Sequence, residues 1–252
     1  MVLVTLVVYA DFDSPEVYLA SRRAGALVVA GAPVDWRAIQ IRPAWPVIGA
    51  RMTAGEREAL ARRFEELDAL LLPGESLPRI PPAFAPNTEA AVSAFAEAYG
   101  TVVADDVRRL LFDLYWAQGA DIGDPNVLRT PLCGPMLRAN AGSDSMRQVG
   151  YAVSVSRGPI TTDAYRRINA WRDEWRHLDS PSLPVVLVDG ATLVGVDAVR
   201  RLGKEIVYRG VDVSPDLGDP RRYPAVEGKP SLAWVSQVGG RWRHVYKLAG
   251  AS

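Results

Sequence analysis

Hydrophobic positions divide the chain into strand-like and helix-like segments. Val2 to Tyr9 is an almost unbroken apolar run, the pattern of a strand buried on both faces. From Pro15 to Ala30 the apolar residues Val17, Leu19, Ala20, Ala24, Leu27 and Val28 recur at helical spacing, with Arg22 and Arg23 expected on the outer side. Gly31 and Pro33 end that helix. Val34 to Ile41 alternates as a second strand, stopped by Pro43 and Pro46. Two strands joined by a helix predict a β-α-β unit with a parallel pair.

Helical periodicity then dominates. Thr53 and Glu56 have the spacing of a capping box, ahead of an apolar stripe at Leu60, Phe64, Leu67 and Leu71. Leu72 to Pro86 carries Pro73, Pro78, Pro81, Pro82 and Pro86 and reads as a structured loop or lid. Asn87-Thr88 opens a helix with Val92, Phe95, Ala96 and Tyr99 inward and Gly100 just past its end. Another helix follows over Val103 to Tyr115, with Asp105 and Arg109 as an i,i+4 pair. Asp124-Pro125 starts a turn or short helix, Leu132 to Ser145 shows no clear period, and Arg147 to Ser154 is a weakly patterned helix. Thr162 caps a helix expected to bury Tyr165, Ile168, Trp171, Trp175 and Leu178. Two apolar runs flank Asp189-Gly190, a strong hairpin signal. Gly195-Val196-Asp197 opens a short helix to Leu202. From Gly203 the chain reads as loop-rich, ending in a hairpin around Gly239-Gly240.

Composition excludes several functions. The 252 residues are 48% hydrophobic with a formal net charge of +0, which gives no electrostatic case for nucleic acid or an anionic membrane. No apolar run approaches bilayer-spanning length, and no signal-peptide pattern opens the sequence, so a soluble cytoplasmic protein is expected. Cys133 is the single cysteine and His177 and His244 are the two histidines, which argues against a disulfide, a C-x-x-C pair or a dedicated metal site.

The chemistry concentrates where the first strand hands over to the first helix. Ser14 falls at a helix N-terminus, where free N–H groups and the positive end of the helix dipole stabilise an anion. The simplest reading of Ser14 is an N-cap, with Pro15 in the first turn. Asp13 and Glu16 beside it are acid/base candidates if buried, or carboxylates that complement the dipole. Asn87 can hold a polar group of a substrate or cap its own helix. Trp45, Phe84, Tyr115 and Trp116 are candidates for the wall of an apolar pocket or for core packing. Cys133 reads as an inert buried thiol. Trp234, Trp242 and Tyr246 in the terminal hairpin would suit a homodimer interface.

Four stretches carry a resemblance. They are Asp11-Phe-Asp-Ser-Pro-Glu-Val-Tyr-Leu-Ala20, Gly119-Ala-Asp-Ile-Gly-Asp-Pro-Asn-Val-Leu128, Leu183-Pro-Val-Val-Leu-Val-Asp-Gly190 and Gly195-Val-Asp197. In this order the chain resembles the DsbA-like branch of the thioredoxin superfamily. That branch holds 2-hydroxychromene-2-carboxylate isomerase, kappa-class glutathione transferases and cytosolic DsbA-type oxidoreductases. The resemblance implies an α/β fold. Residues 1–45 and 155–205 would form a thioredoxin-like domain, 46–154 an inserted all-helical domain, and 206–252 a C-terminal extension ending in a β-hairpin.

The resemblance also assigns positions. Ser14 occupies the place of the family's catalytic Ser, or of the first Cys in redox members, and Val17 that of the second Cys. Disulfide exchange needs a thiolate there, so an oxidoreductase is all but excluded. Pro184 matches a cis-proline beside the active residue. Leu183 before it would offer its backbone to a thiol cofactor such as glutathione, and Asp197 would contact the γ-glutamyl end. Glu16, Asn87 and Trp116 would line the substrate site. Val196, Ala198 and Val185 stand where the family tends to have Ser, Arg and Thr, and Glu16 adds negative charge where a thiolate would sit, so the glutathione site is degraded or altered. Two expectations remain open. One is an isomerase or transferase on a small hydrophobic or aromatic molecule, with or without a thiol cofactor. The other is a redox-inactive ligand-binding or scaffold protein.

Overall fold

A computed structural model describes residues 5–44, 46, 49–78, 82, 84–139, 144–178, 182–213, 235–238 and 241–244, the last two segments as backbone. Its centre is a four-stranded sheet in the order β2-β1-β5-β6, with β1 Leu6–Ala10, β2 Val34–Ala38, β5 Val185–Val188 and β6 Ala191–Val194. β1 and β2 are parallel, joined through α1 (Pro15–Val29), as the alternation of patterns predicts. β5 runs antiparallel to β1 and to β6. Asp189 and Gly190 turn the β5–β6 hairpin with φ of 51° and 75°, the left-handed pair that an Asp-Gly turn requires.

Side-chain alternation assigns the two faces of the sheet. Trp36 points to α4 (Ala104–Trp116), where Phe112 meets it edge-on and Arg108 lies over its ring. Tyr9, Asp35 and Arg37 point the other way. Tyr9 and Arg37 bond Glu174 on α7 (Thr162–Arg176), and Asp35 accepts from Tyr99 at the end of α3 (Glu89–Ala98). α8 (Val196–Arg209) lies against α1 on the first face. Between the sheet halves come α2 (Ala54–Asp68), α3, α4, α5 (Pro125–Arg138) and α6 (Ser145–Gln148), plus a two-residue ladder of β3 (Ala50–Arg51) with β4 (Phe84–Ala85). The capping box at Thr53 forms on both sides. A separate two-stranded ladder, β7 (Val235–Val238) with β8 (Arg241–His244), is the terminal hairpin. The side chains of Trp234, Trp242 and Tyr246 lie outside the described residues. No helix among the described residues is long and apolar enough to cross a membrane.

Several elements differ from the sequence reading. Arg23 is buried, not outside. Its guanidinium makes a two-point pair with Glu75 at 2.8 and 2.7 Å and donates to the carbonyls of Val199 and Leu70. Gly203 lets α8 pass close to it, since a Cβ there would fall 2.8 Å from Arg23 Nη1. α8 therefore runs through Gly203 to Arg209 instead of stopping at Leu202, held by buried Val199, Leu202 and Ile206. α5 likewise runs through Pro131 and Pro135, anchored by buried Leu128, Leu132 and Met136. β2 ends at Ala38 because the Ile41 N–H donates to a carboxylate, Asp11, in place of a strand carbonyl. The helix expected over Arg147 to Ser154 is the four-residue α6. Tyr165 is 60% exposed, one step off the stripe of Ala164, Ile168 and Trp171 that faces inward.

The Arg23–Glu75 pair gives a direct stability test. Removing one partner strands the other as a buried charge, which costs about 3–5 kcal/mol. Glu75→Gln should lose stability on that scale in urea unfolding, and Arg23→Leu with Glu75→Leu together should lose less than either single change. A loss below about 1 kcal/mol for Glu75→Gln would remove the pair from the account.

Candidate active site

Sheet topology gathers the predicted site on one edge. β6 is parallel to β1 through two antiparallel steps, so α8 starts at the same edge as α1. Extending the β1–β5 register past Tyr9↔Val185 sets Pro184 opposite Ala10 and Leu183 opposite Asp11. The Leu183–Pro184 peptide is cis. Gly195 N–H donates to the Pro184 carbonyl at 2.8 Å, which ties the start of α8 to it. Ligands of open α/β sheets bind outside such carboxyl ends of strands.

Ser14 is the N-cap of α1. Its Oγ accepts from Val17 N–H at 3.3 Å, with extended backbone at φ −124° and ψ 146°. That bond uses a lone pair and leaves the hydroxyl proton to donate. Val17 is fully buried beneath it.

Two carboxylates precede Ser14. Asp11 is buried and fixed on three sides. Oδ1 accepts from Phe12 N–H at 2.7 Å, Oδ2 from Ile41 N–H at 2.9 Å, and the Thr88 side chain bonds it as well. Burial, reinforced by neighbouring Asp13, pushes its pKa from 3.8 up to about 7. The Asp13 side chain is 4% exposed and pairs with Arg42 at 3.2 Å. Burial raises its pKa as well, against the pull of Arg42. Tyr115 is also raised, by burial first and the Asp13 charge second, and donates to the Phe84 carbonyl at 2.9 Å.

The other predicted residues take definite places. Glu16 does not stand alone beside Ser14, because Arg63 from α2 grips it at 3.0 and 2.5 Å and offsets its charge. Asn87 is buried; its Oδ1 accepts from Gln40 at 2.7 Å and from Glu89 N–H at 3.1 Å, which ties the first residue of α3, just past its N-cap Thr88, to the segment after β2. Gly123 backs it, as a Cβ there would fall 2.5 Å from the Asn87 carbonyl. Trp116 is buried among Tyr18, Phe64 and Tyr115, and its indole N–H donates to the Phe12 carbonyl at 2.9 Å, holding α4 to the loop that carries Ser14. Asp197 is exposed in the first turn of α8 and pairs with Arg200 at 3.0 Å. Trp45 lies outside the described residues. Cys133 is in α5, and burial raises its pKa, which disfavours the reactive thiolate. Asp11, Thr88, Arg42 and Arg63 were not singled out from the sequence. The signal available is an acidic residue ending an apolar strand, but its partners Ile41 and Thr88 lie 30 residues and more away.

Residues 5–132 match the family described as DSBA-like thioredoxin domain. The chain belongs to that family. This DsbA-like protein is similar in fold to a 2-hydroxychromene-2-carboxylate isomerase (TM-score 0.54, 18% identity, covering 81% of this chain and 95% of the other). It is similar also to the cytosolic disulfide reductase DsbM from Pseudomonas aeruginosa (TM-score 0.53, 16% identity, 82% and 95%). A probable DsbA oxidoreductase from Streptomyces coelicolor is a third (TM-score 0.52, 14% identity, 82% and 90%). At these identities the likeness is one of fold. No curated protein matches the chain.

Asp11 gives the DsbA-like edge a pH signature. A raised carboxyl pKa means that the folded chain holds the proton more tightly than the unfolded one. The stability it contributes is full below about pH 4 and is lost as pH rises toward about 7. Asp11→Asn should flatten that fall in melting temperature. An unchanged fall would contradict the assignment.

Proposed function

We propose that this DsbA-like protein is an isomerase or transferase acting on a small hydrophobic or aromatic molecule, with Ser14 as its central residue. The observation that carries the reading is a serine hydroxyl, free to donate, at the N-terminus of α1 on the edge occupied by cis-Pro184. With Ser14 and Val17 where redox members place cysteines, the chain has no dithiol to cycle at this edge. A hydroxyl there can hold a thiolate or an oxyanion, and losing such a donor costs about 3 kcal/mol in a transition state.

The residues fit a low-molecular-weight thiol such as glutathione. Ser14 would hold its sulfur, the Leu183 backbone its cysteinyl unit, and the exposed Asp197 carboxylate a terminal ammonium. Glu16, the charge that would oppose a thiolate, is offset by Arg63. A bound thiol supplies a sulfur nucleophile. The chain's own part is to orient the substrate, lend the Ser14 proton to a developing negative charge, and keep water out with the insertion. Asn87 and Trp116 shape that side of the site.

A second reading, a redox-inactive ligand-binding or scaffold protein, is favoured by one observation. Asp197 is paired with Arg200 on its own helix, next to Val196 and Ala198.

A thermal-shift screen tests the proposal. Glutathione or mycothiol at 100 times its dissociation constant should stabilise the protein by about 2.7 kcal/mol, and Ser14→Ala should blunt the shift. A shift by aromatic carboxylates alone favours a cofactor-free enzyme or the ligand-binding reading. No shift by any of them, or insulin reduction above background, would contradict the proposal.

A further inference from the structure

We infer that Asp13 is the proton-transfer group of the Ser14 site, taking a proton from a bound carbonyl compound and returning it to another atom of the same molecule. This rests on reading the Ser14 edge as a small-molecule site. Asp13 directly precedes Ser14, yet its side chain is 4% exposed while that of its partner Arg42 is 43% exposed. Oδ2 takes the Arg42 pair at 3.2 Å. Among the described residues, Oδ1 is buried with no partner beyond its own amide. Buried carboxylate oxygens are nearly always bonded, so one left open beside a candidate donor calls for an occupant.

The surrounding charged groups are committed to partners other than that oxygen. Glu16 from α1 and Arg63 from α2 are committed to each other. Asp11 at the end of β1 is held by Phe12, Ile41 and Thr88. Tyr115 from α4 spends its proton on the Phe84 carbonyl. Arg42, after β2, is the cation paired with Asp13. Burial raises the affinity of Asp13 for a proton and Arg42 restrains the rise, a balance suited to a base that must also give the proton back.

The substrate class is a small conjugated or aromatic ketone or aldehyde with a C–H next to the carbonyl. The Asp13 carboxylate takes that proton. The C–H bond breaks, its electron pair moves through the conjugated system, and the negative charge on the carbonyl oxygen accepts the Ser14 hydroxyl hydrogen bond. The Asp13 carboxylic acid then delivers the proton to a different atom, and the carboxylate is regenerated. The product is an isomer, with no net change in protons or electrons.

The test uses 2-indanone as probe. Its binding is followed by thermal shift, and its C–H exchange in deuterated buffer by proton NMR. Wild type should bind it and accelerate exchange. Asp13→Asn should keep binding and lose about 100-fold in exchange. Exchange needs the ionised base, so its rate rises with pH through the Asp13 titration, and Arg42→Gln, which removes the restraining cation, should move that rise to higher pH. A purely structural role for Asp13 would leave the midpoint in place. Equal exchange by Asp13→Asn and wild type overturns the inference and leaves the Ser14 reading standing. Binding without exchange in wild type overturns it in favour of a ligand binder. Absence of binding overturns the inference, while the Ser14 reading is judged by the thiol screen.

Discussion

The buried carboxylate of Asp11 is the constraint on which the candidate site depends. It receives the backbone N–H of Phe12 in the loop to α1, that of Ile41 beyond β2, and the side chain of Thr88 at the start of α3. One side chain thus fixes three pieces of chain that meet at the sheet edge. A buried carboxylate is costly unless its lone pairs are filled, so the partners must hold their places as firmly as the acid does. Ser14 stands three residues on, at the mouth of the helix those pieces frame.

The same economy fastens α3, α4 and α7 to one another and to the first helix. Buried polar groups serve as joints, each with several partners. Glu97 in α3 accepts from Ile160 N–H and Thr161 N–H at 2.7 and 2.6 Å and so fixes the start of α7. Arg108 in α4 donates to Ser21 in α1 and pairs with Asp105. Trp116 reaches the Phe12 carbonyl. α4 is therefore held against α1 and against the loop that carries Ser14, and α3 against the start of α7.

Periodicity made the framework legible. The first β-α-β unit, the capping box, the Asp189-Gly190 hairpin and the Asp105–Arg109 pair are all set by residues close in sequence. Ser14 as an N-cap and a cis bond at Pro184 followed from local motifs and their resemblance. Long-range partnership was not legible. Nothing beside Arg23 indicates that Glu75 and two carbonyls will receive it inside the core, and nothing beside Gly203 shows that its missing side chain admits that guanidinium. Glu16 read as an uncompensated charge because Arg63 lies 47 residues away. Local rules decide which element forms; the charged joints between elements follow from packing.

The proposed small-molecule site lies between the N-termini of α1 and α8 and beside Pro184. The most direct measurement is a map of backbone amide NMR shifts during titration with glutathione. Movement should concentrate at Ser14 to Val17, at Ile41, at Leu183, and at Gly195 to Asp197, Pro15 and Pro184 having no amide proton. Saturable shifts centred elsewhere, with these amides unmoved, would contradict it.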